Sequence, residues 1–216
     1  MKNAIVPRAV RKRARTRGEL VAAAEQLVAK RGLDAVSIDE ITEAADLAKG
    51  TFYTHFADKG DLAAAIAGHI RIELEEKIAA VNAGVDDAAV RMTNGLSTFF
   101  AFAVAQPIRA RALIRLIPSV VDPDMPINAG IRSDVTLGLK TKRFWAASVN
   151  AAVVTLLGIA SSAALLLADD AHRVADPYAF CREVLTTALV ALGLERIEAA
   201  RLAKTAMDNR RKELKP

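Results

Sequence analysis

The segment 36–62, VSIDEITEAADLAKGTFYTHFADKGDL, constrains the fold most, because it holds two short helical patterns separated by a tight turn. Ser37 is followed three residues later by Glu40, and this spacing predicts a capping box at the start of the first helix. Apolar residues then recur at helical spacing, which predicts a buried stripe. Asp46 follows, and aspartate tolerates the left-handed backbone that a turn requires. The segment therefore predicts a helix-turn-helix.

The second helix of this pair is predicted from about Ala48 to His55. Phe52 and Phe56 are spaced i, i+4 and should share its buried face. The opposite face is then polar and compact, and its glycine allows another backbone to approach closely. Such a face can reach phosphates and base edges, so we expect it to bind duplex DNA, with an ordinary polar surface helix as the alternative. The residues expected to contact DNA are Ser37, Lys49, Gly50, Thr51, Tyr53, Thr54, His55 and Lys59.

The motif resembles the DNA-binding domain of the TetR family of transcriptional repressors. Residues Ala45–Lys59 carry the turn ADLA, the short helix KGTFYTHF and the lysine that begins the next helix. A preceding helix, Arg17–Lys30, ended by Gly32, also fits the family, whereas Asp46 stands where the family prefers glycine. The resemblance covers roughly residues 14–65, and beyond them only the helical layout and the length of the chain agree.

The whole chain is predicted to be all-α, because it is rich in alanine and shows no alternating β-branched runs. We expect about nine to ten helices, with a three-helix helix-turn-helix domain at 15–60 and an effector-binding and dimerisation domain at 61–216. After the motif, helices are expected at about 58–81, 87–106, 108–117, 127–142, 145–168, 178–192 and 195–212.

The positive charge is concentrated at the N-terminus. Residues 1–17 hold seven Lys or Arg and no acid, and the remaining residues hold 23 basic and 25 acidic side chains. We therefore expect residues 1–14 to form a basic flexible arm that adds phosphate or minor-groove contacts. A solvated tail without a fixed role is the alternative.

The stretch Trp145–Ala168 has no charged residue and is long enough to be read as a membrane span. It also contains serine, threonine, asparagine and many alanines, and it lacks a pair of basic flanks. We interpret it as a helix buried in a dimer, where Gly158 and Ser162 allow another helix to approach. The single Cys181 excludes an internal disulfide, and no apolar leader is present, so we expect a cytoplasmic protein without a membrane partner.

The resemblance implies a homodimer through the helices near 145–168 and 177–192, which would place two DNA-reading helices about 34 Å apart on a palindromic operator. It also implies a pocket for a small-molecule effector between the fourth and eighth helices, and ligand binding would release the operator by shifting the fourth helix. Aromatic residues are scarce, so their grouping indicates a cavity, and the absence of an obvious charged partner favours a largely apolar ligand. The residues expected to line it are Met92, Leu96, Phe99, Phe100, Phe144, Trp145, Val149 and Asn150.

Catalytic, metal and cofactor sites are not expected. The three histidines, His55, His69 and His172, are scattered, and no glycine-rich phosphate loop is present. The sequence GIASSA at Gly158 lacks the second glycine of a nucleophile elbow. The alternative to a DNA-binding regulator is a helical interaction protein, or a membrane-associated protein, that does not bind DNA. The polar face around Tyr53 argues against it.

Overall fold

The computed structural model describes residues 7–116, 121–125, 128–169 and 174–213, and these residues form ten helices and no strand. The predicted all-α fold class is confirmed. The helices are α1 (Arg8–Arg31), α2 (Ile38–Ala44), α3 (Lys49–His55), α4 (Lys59–Val81), α5 (Ala88–Ala105), α6 (Pro107–Leu116), α7 (Ala129–Lys140), α8 (Val149–Leu167), α9 (Pro177–Ala191) and α10 (Arg196–Glu213).

The chain divides into two compact units, residues 1–69 and 70–216, and the division falls inside α4. The first six residues of the predicted arm, the predicted helix ends at Ile117 and Ile127, and His172 fall outside the described residues.

Helix α1 is longer than predicted. It begins at Arg8, whereas the apolar pattern suggested a start at Arg17. The first three turns are exposed, so no apolar stripe marks them. Arginine, lysine and alanine are nevertheless strong helix formers, which explains why these turns are helical without a buried face. The buried stripe begins only at Leu20.

The turn between α2 and α3 follows the sequence prediction closely. The Ser37 hydroxyl accepts a hydrogen bond from the Glu40 amide at 3.2 Å, and the Glu40 carboxylate accepts one from the Ser37 amide at 2.8 Å. This confirms the capping box. The bond from the Ser37 amide, followed by bonds from Arg31 and from the Ser37 hydroxyl, lowers the pKa of the Glu40 carboxyl to about 2. Asp46 adopts a left-handed φ of 54°, as its residue type predicted.

The core of the second unit is built from one face each of α5, α7, α8, α9 and α10. Three of these helices begin with a side-chain cap, at Asp87, Ser148 and Asp176. Arg143 links the start of α5 to α10. Its guanidinium donates to both carboxylate oxygens of Glu198 and to Asp87 at 3.0 Å. These bonds raise the pKa of Arg143.

The eighth helix starts later than predicted. Ser148 accepts a hydrogen bond from the Ala151 amide at 3.1 Å and so fixes the start at Val149. The backbone before it is a loop, in which the Trp145 amide donates to the Leu192 carbonyl at 2.7 Å.

Helix α8 keeps much of its apolar surface uncovered. Its mean hydropathy is 2.0, and 33% of it is buried inside the protein. Among the described residues it is the one helix whose length and composition would let it cross a membrane. Val154 is 44% exposed and Leu166 is 36% exposed, so the described residues leave an apolar stripe on this helix uncovered.

Candidate nucleic-acid interface and ligand cavity

The short helix α3 presents a polar face to solvent because its apolar side chains are buried. Phe52 and Phe56 are 0% and 1% exposed, and their rings lie 5.6 Å apart. Tyr53 is 57% exposed and meets the Phe52 ring edge to face at 5.3 Å. A Cβ added to Gly50 would have nothing within 4 Å, so the backbone there is open to a large partner.

The eight residues predicted to bind DNA all lie in the first unit, and they differ in how available they are. The Ser37 hydroxyl donates to Glu40 at 2.8 Å, and the Thr54 hydroxyl donates to the Gly50 carbonyl at 3.2 Å, so both already hold a protein partner. The exposed members are Ser37, Lys49, Gly50, Tyr53 and Thr54, and the partly buried ones are Thr51, His55 and Lys59.

Lys49, at the start of α3, is held by Asp39 of α2. Its ammonium lies 2.7 Å from one carboxylate oxygen and 3.0 Å from the other. The hydrogen bond to Asp39 raises the pKa of Lys49. The lysine is therefore paired with an acid in the free protein.

The basic start of α1 reaches the end of α3. Arg13 donates to the Thr54 carbonyl at 3.3 Å, and the Arg17 guanidinium stacks 4.7 Å from the centre of the Phe56 ring. His55 lies beside them, and its Nδ1 is buried without a hydrogen-bond partner in the described structure. Burial, followed by the charges of Arg13 and Arg17, lowers the pKa of His55. Both effects favour the neutral form of the imidazole.

The structural role of Arg13 is not visible in the sequence. The basic run predicts a flexible arm, whereas the structure places Arg13 in a helix that touches α3. Arg13 and Thr54 are 41 residues apart in sequence and meet only because α1 packs near α3. A local sequence pattern cannot predict such a contact.

The second unit encloses a cavity of about 510 Å³. Its walls are mainly apolar side chains of α4, α5, α6, α7 and α8. Three of the eight residues predicted to line an effector pocket line this cavity, namely Met92, Leu96 and Phe99. A cavity of this size suits a small organic ligand.

The other five predicted pocket residues lie elsewhere. Phe100 is fully buried in the core, and Val149 packs against that core. The Phe144 ring fills the space beside Gly138, while Trp145 is 74% exposed in the loop before α8. Asn150 is exposed and accepts a hydrogen bond from Arg132 at 2.7 Å. The residues of α8 at the cavity are Leu157, Ala160 and Ser161, which lie further along the helix than Val149 and Asn150.

Charged residues also line the cavity, which corrects the expectation that no charged partner is present. Arg91 donates through Nε to Asp134 Oδ1 at 2.6 Å, and Asp134 is 7% exposed. Arg71 and Glu75 form a second pair at 2.8 Å on the lining. Arg91 and Asp134 are 43 residues apart, so sequence alone could not pair them, although a lone arginine beside Met92 in an apolar helix was a usable signal.

Within the described residues, no group of three or more His, Cys, Asp and Glu side chains is arranged to hold a metal ion. Cys181 is fully buried, and burial, with a smaller contribution from Asp176, raises the pKa of its thiol to about 12. Its position therefore matches a core residue.

A helix-turn-helix unit with an open polar face, followed by a helical unit that encloses a cavity, defines the class of helix-turn-helix regulators. Residues 20–66 match the family model described as bacterial regulatory proteins, tetR family. This match, together with the similar solved structures, confirms the resemblance to the TetR family seen in the sequence. No curated protein matches the chain.

Solved structures agree with this assignment along most of the chain. RolR in complex with the ligand resorcinol is 26% identical, with 90% of this chain and 95% of RolR covered and a TM-score of 0.66. Two less similar structures share the fold. A tetR-family regulatory protein from Rhodococcus is 18% identical, with 83% of this chain and 98% of that protein covered and a TM-score of 0.62. The fatty acid degradation regulator FadR from Bacillus halodurans is 16% identical, with 89% of this chain and 97% of FadR covered and a TM-score of 0.64.

Proposed function

We propose that the chain is a homodimeric transcriptional repressor of the cytoplasm that binds a palindromic operator and leaves it when a small molecule binds. The observation that carries this proposal is the open polar face of α3, propped by the buried Phe52 and Phe56. The match of residues 20–66 to the tetR family model supports it.

The DNA-binding role is tested by selecting duplexes from a random pool at a fixed salt concentration. We expect a palindromic product. With that duplex, Tyr53→Ala should weaken binding, and Lys59→Ala should flatten the dependence of log affinity on log salt by about 0.9, the value for one phosphate that is no longer neutralised. Lys204→Ala, which removes an exposed lysine of α10, is the control and should leave the slope unchanged. Folded protein that binds no duplex at low ionic strength would overturn the proposal.

The homodimer is supported by the uncovered stripe of α8, in which Val154 and Leu166 are exposed and Gly158 has nothing within 4 Å of an added Cβ. A second copy would bury this apolar surface. Val154→Asp should shift the protein to a monomer in analytical ultracentrifugation and weaken operator binding. Ile197→Asp is the control, because Ile197 is 77% exposed on α10 and outside the proposed interface. Protein that requires detergent to stay dissolved would favour the membrane alternative.

The ligand-responsive role is supported by the cavity and by RolR, whose structure was solved with resorcinol. Helix α4 begins at Lys59 and contributes Leu74 and Ile78 to the cavity lining. A ligand that shifts α4 would change the separation of the two copies of α3. The coupling is reciprocal, so the ligand must weaken operator binding by the factor by which operator weakens ligand binding. Operator affinity that does not change across a broad panel of small molecules that bind the cavity would exclude this mechanism.

The basic start of α1 should add phosphate contacts next to those of α3. Arg13 is already hydrogen-bonded to α3, and Arg8, Arg11 and Lys12 are exposed on the same three turns. Replacing these last three residues by alanine should lower the salt slope by about 0.9 for each phosphate that they neutralise. An unchanged slope would assign this segment no role in DNA binding.

A further inference from the structure

The lining of the cavity includes a partly buried pair of opposite charges, Arg91 and Asp134, which has unused bonding capacity. Arg91 donates through Nε to Asp134 Oδ1 and through Nη1 to the carbonyls of Asn82 and Val85, at 3.3 and 3.2 Å. Within the described residues these bonds leave Asp134 Oδ2 and Arg91 Nη2 without a protein partner. An acceptor and a donor therefore remain on two paired residues of the cavity lining.

The two charges cancel, and this decides which ligands suit the site. An anionic group would meet the Asp134 carboxylate, and a cationic group would meet the Arg91 guanidinium. Either would add an unbalanced charge to a place where Asp134 is 7% exposed, which is costly in a poorly hydrated environment. Arg71 and Glu75 are likewise paired with each other, so the lining offers no free charge at that position either.

A hydroxyl group satisfies both open positions at once. Its hydrogen can be donated to Asp134, and its oxygen can accept from Arg91. The rest of the cavity suits an apolar ligand body, because side chains such as Leu74, Leu96 and Leu157 form its walls.

We propose that the cavity takes an uncharged ligand with an apolar body and a terminal alcoholic or phenolic hydroxyl, which bonds to Asp134 and Arg91. This inference rests on the ligand-responsive function proposed above and names the chemical class of its ligand.

The test compares three probes with one body, para-butylphenol, butylbenzene and para-butylbenzoate, by titration calorimetry on the full chain. We expect the phenol to bind at least about tenfold more tightly than the other two, because each of them leaves a buried polar group unpaired or adds a charge. Equal binding of butylbenzene, tighter binding of the benzoate, or no binding of any probe at millimolar concentration would overturn the proposal.

Two variants locate the hydroxyl. Asp134→Asn leaves Arg91 as an uncompensated cation, so the preference should invert, with the phenol weakened and the benzoate strengthened by at least about tenfold. Glu75→Gln is the matched control, because it removes one acid of the other pair on the same lining. Inversion by Glu75→Gln with no inversion by Asp134→Asn would place recognition at the Arg71 pair and overturn the assignment. If Asp134→Asn does not fold, the comparison of probes on the unchanged chain decides.

Operator binding is measured separately, with and without the phenol, so that the two proposals fail in different ways. Loss of all duplex binding would overturn the regulator and leave the probe preference standing. Phenol binding that leaves operator affinity unchanged would overturn the ligand response alone. A preference for the benzoate in a chain that binds operator would overturn the ligand class alone.

Discussion

Lys49 and Asp39 join α3 to α2 through an ion pair of 2.7 Å. Both side chains are more than half exposed, so the pair is accessible to solvent and to a nucleic acid. Asp39 therefore already binds the Lys49 ammonium group to which a phosphate of DNA would otherwise bind. DNA binding by Lys49 requires this pair to open or to be shared.

Asp39→Asn should tighten DNA binding several-fold at low salt, because it frees Lys49 and removes a negative charge from the interface. Thermal stability should change little, since exposed ion pairs contribute weakly to folding. Fluorescence anisotropy with a labelled duplex measures the effect. Glu43→Gln removes an exposed acid from the same helix, and an equal gain from both variants would mean that net charge, rather than Lys49, is responsible.

Gly50→Ala should separate folding from DNA binding. The added methyl meets nothing within 4 Å, and alanine favours a helix over glycine, so the free energy of unfolding should rise by about 0.5–1 kcal/mol. Operator affinity should fall by about tenfold or more if the DNA backbone comes close to this position. Gly68→Ala, an equally open helical glycine of α4, is the control for stability alone. Unchanged operator affinity in Gly50→Ala would remove Gly50 from the interface.

Stability should decline as the pH falls below about 6.5 because of His55. Burial, followed by Arg13 and Arg17, lowers the pKa of His55 in the folded state, so the unfolded chain takes up a proton more readily. The penalty is absent above the ordinary histidine pKa and grows as the pH falls toward the folded value. Denaturant unfolding of the wild type and of His55→Gln between about pH 7.5 and 5.5 measures it. Parallel curves would contradict the assignment.

Gly138→Ala should destabilise the second unit. A Cβ at this position would lie 2.0 Å from Cδ2 of Phe144, so the ring and the loop that carries it must move. Overpacking of this kind costs about 1–3 kcal/mol. Gly130→Ala, in the same helix with nothing within 4 Å, should be neutral or stabilising. Thermal unfolding of both variants distinguishes the steric clash from a general effect of replacing a glycine.

The helix-turn-helix could be predicted in detail because its determinants are local. The Ser37–Glu40 cap, the left-handed Asp46 and the i, i+4 pair of phenylalanines each act within a few residues. The ligand cavity depends on contacts between distant segments, and there the sequence prediction was least complete. Arg91 meets Asp134 only when α5 packs against α7, so the sequence near either residue does not predict the pair.

The aromatic grouping near α8 illustrates the same limit. Trp145 was predicted to line the cavity because aromatic residues are scarce and this one is close to Phe144 in sequence. Trp145 instead lies in the loop before the Ser148 cap, and the residue is 74% exposed.

The chain has one cysteine, Cys181, and it is sealed in the core with its thiol protonated at physiological pH. A cysteine introduced on the surface would therefore be the one thiol that a maleimide or a spin label attacks in the folded protein. In the proposed homodimer, labels attached singly beside α3 would report the spacing of the two copies in solution, with and without the proposed ligand, and no background substitution would be needed.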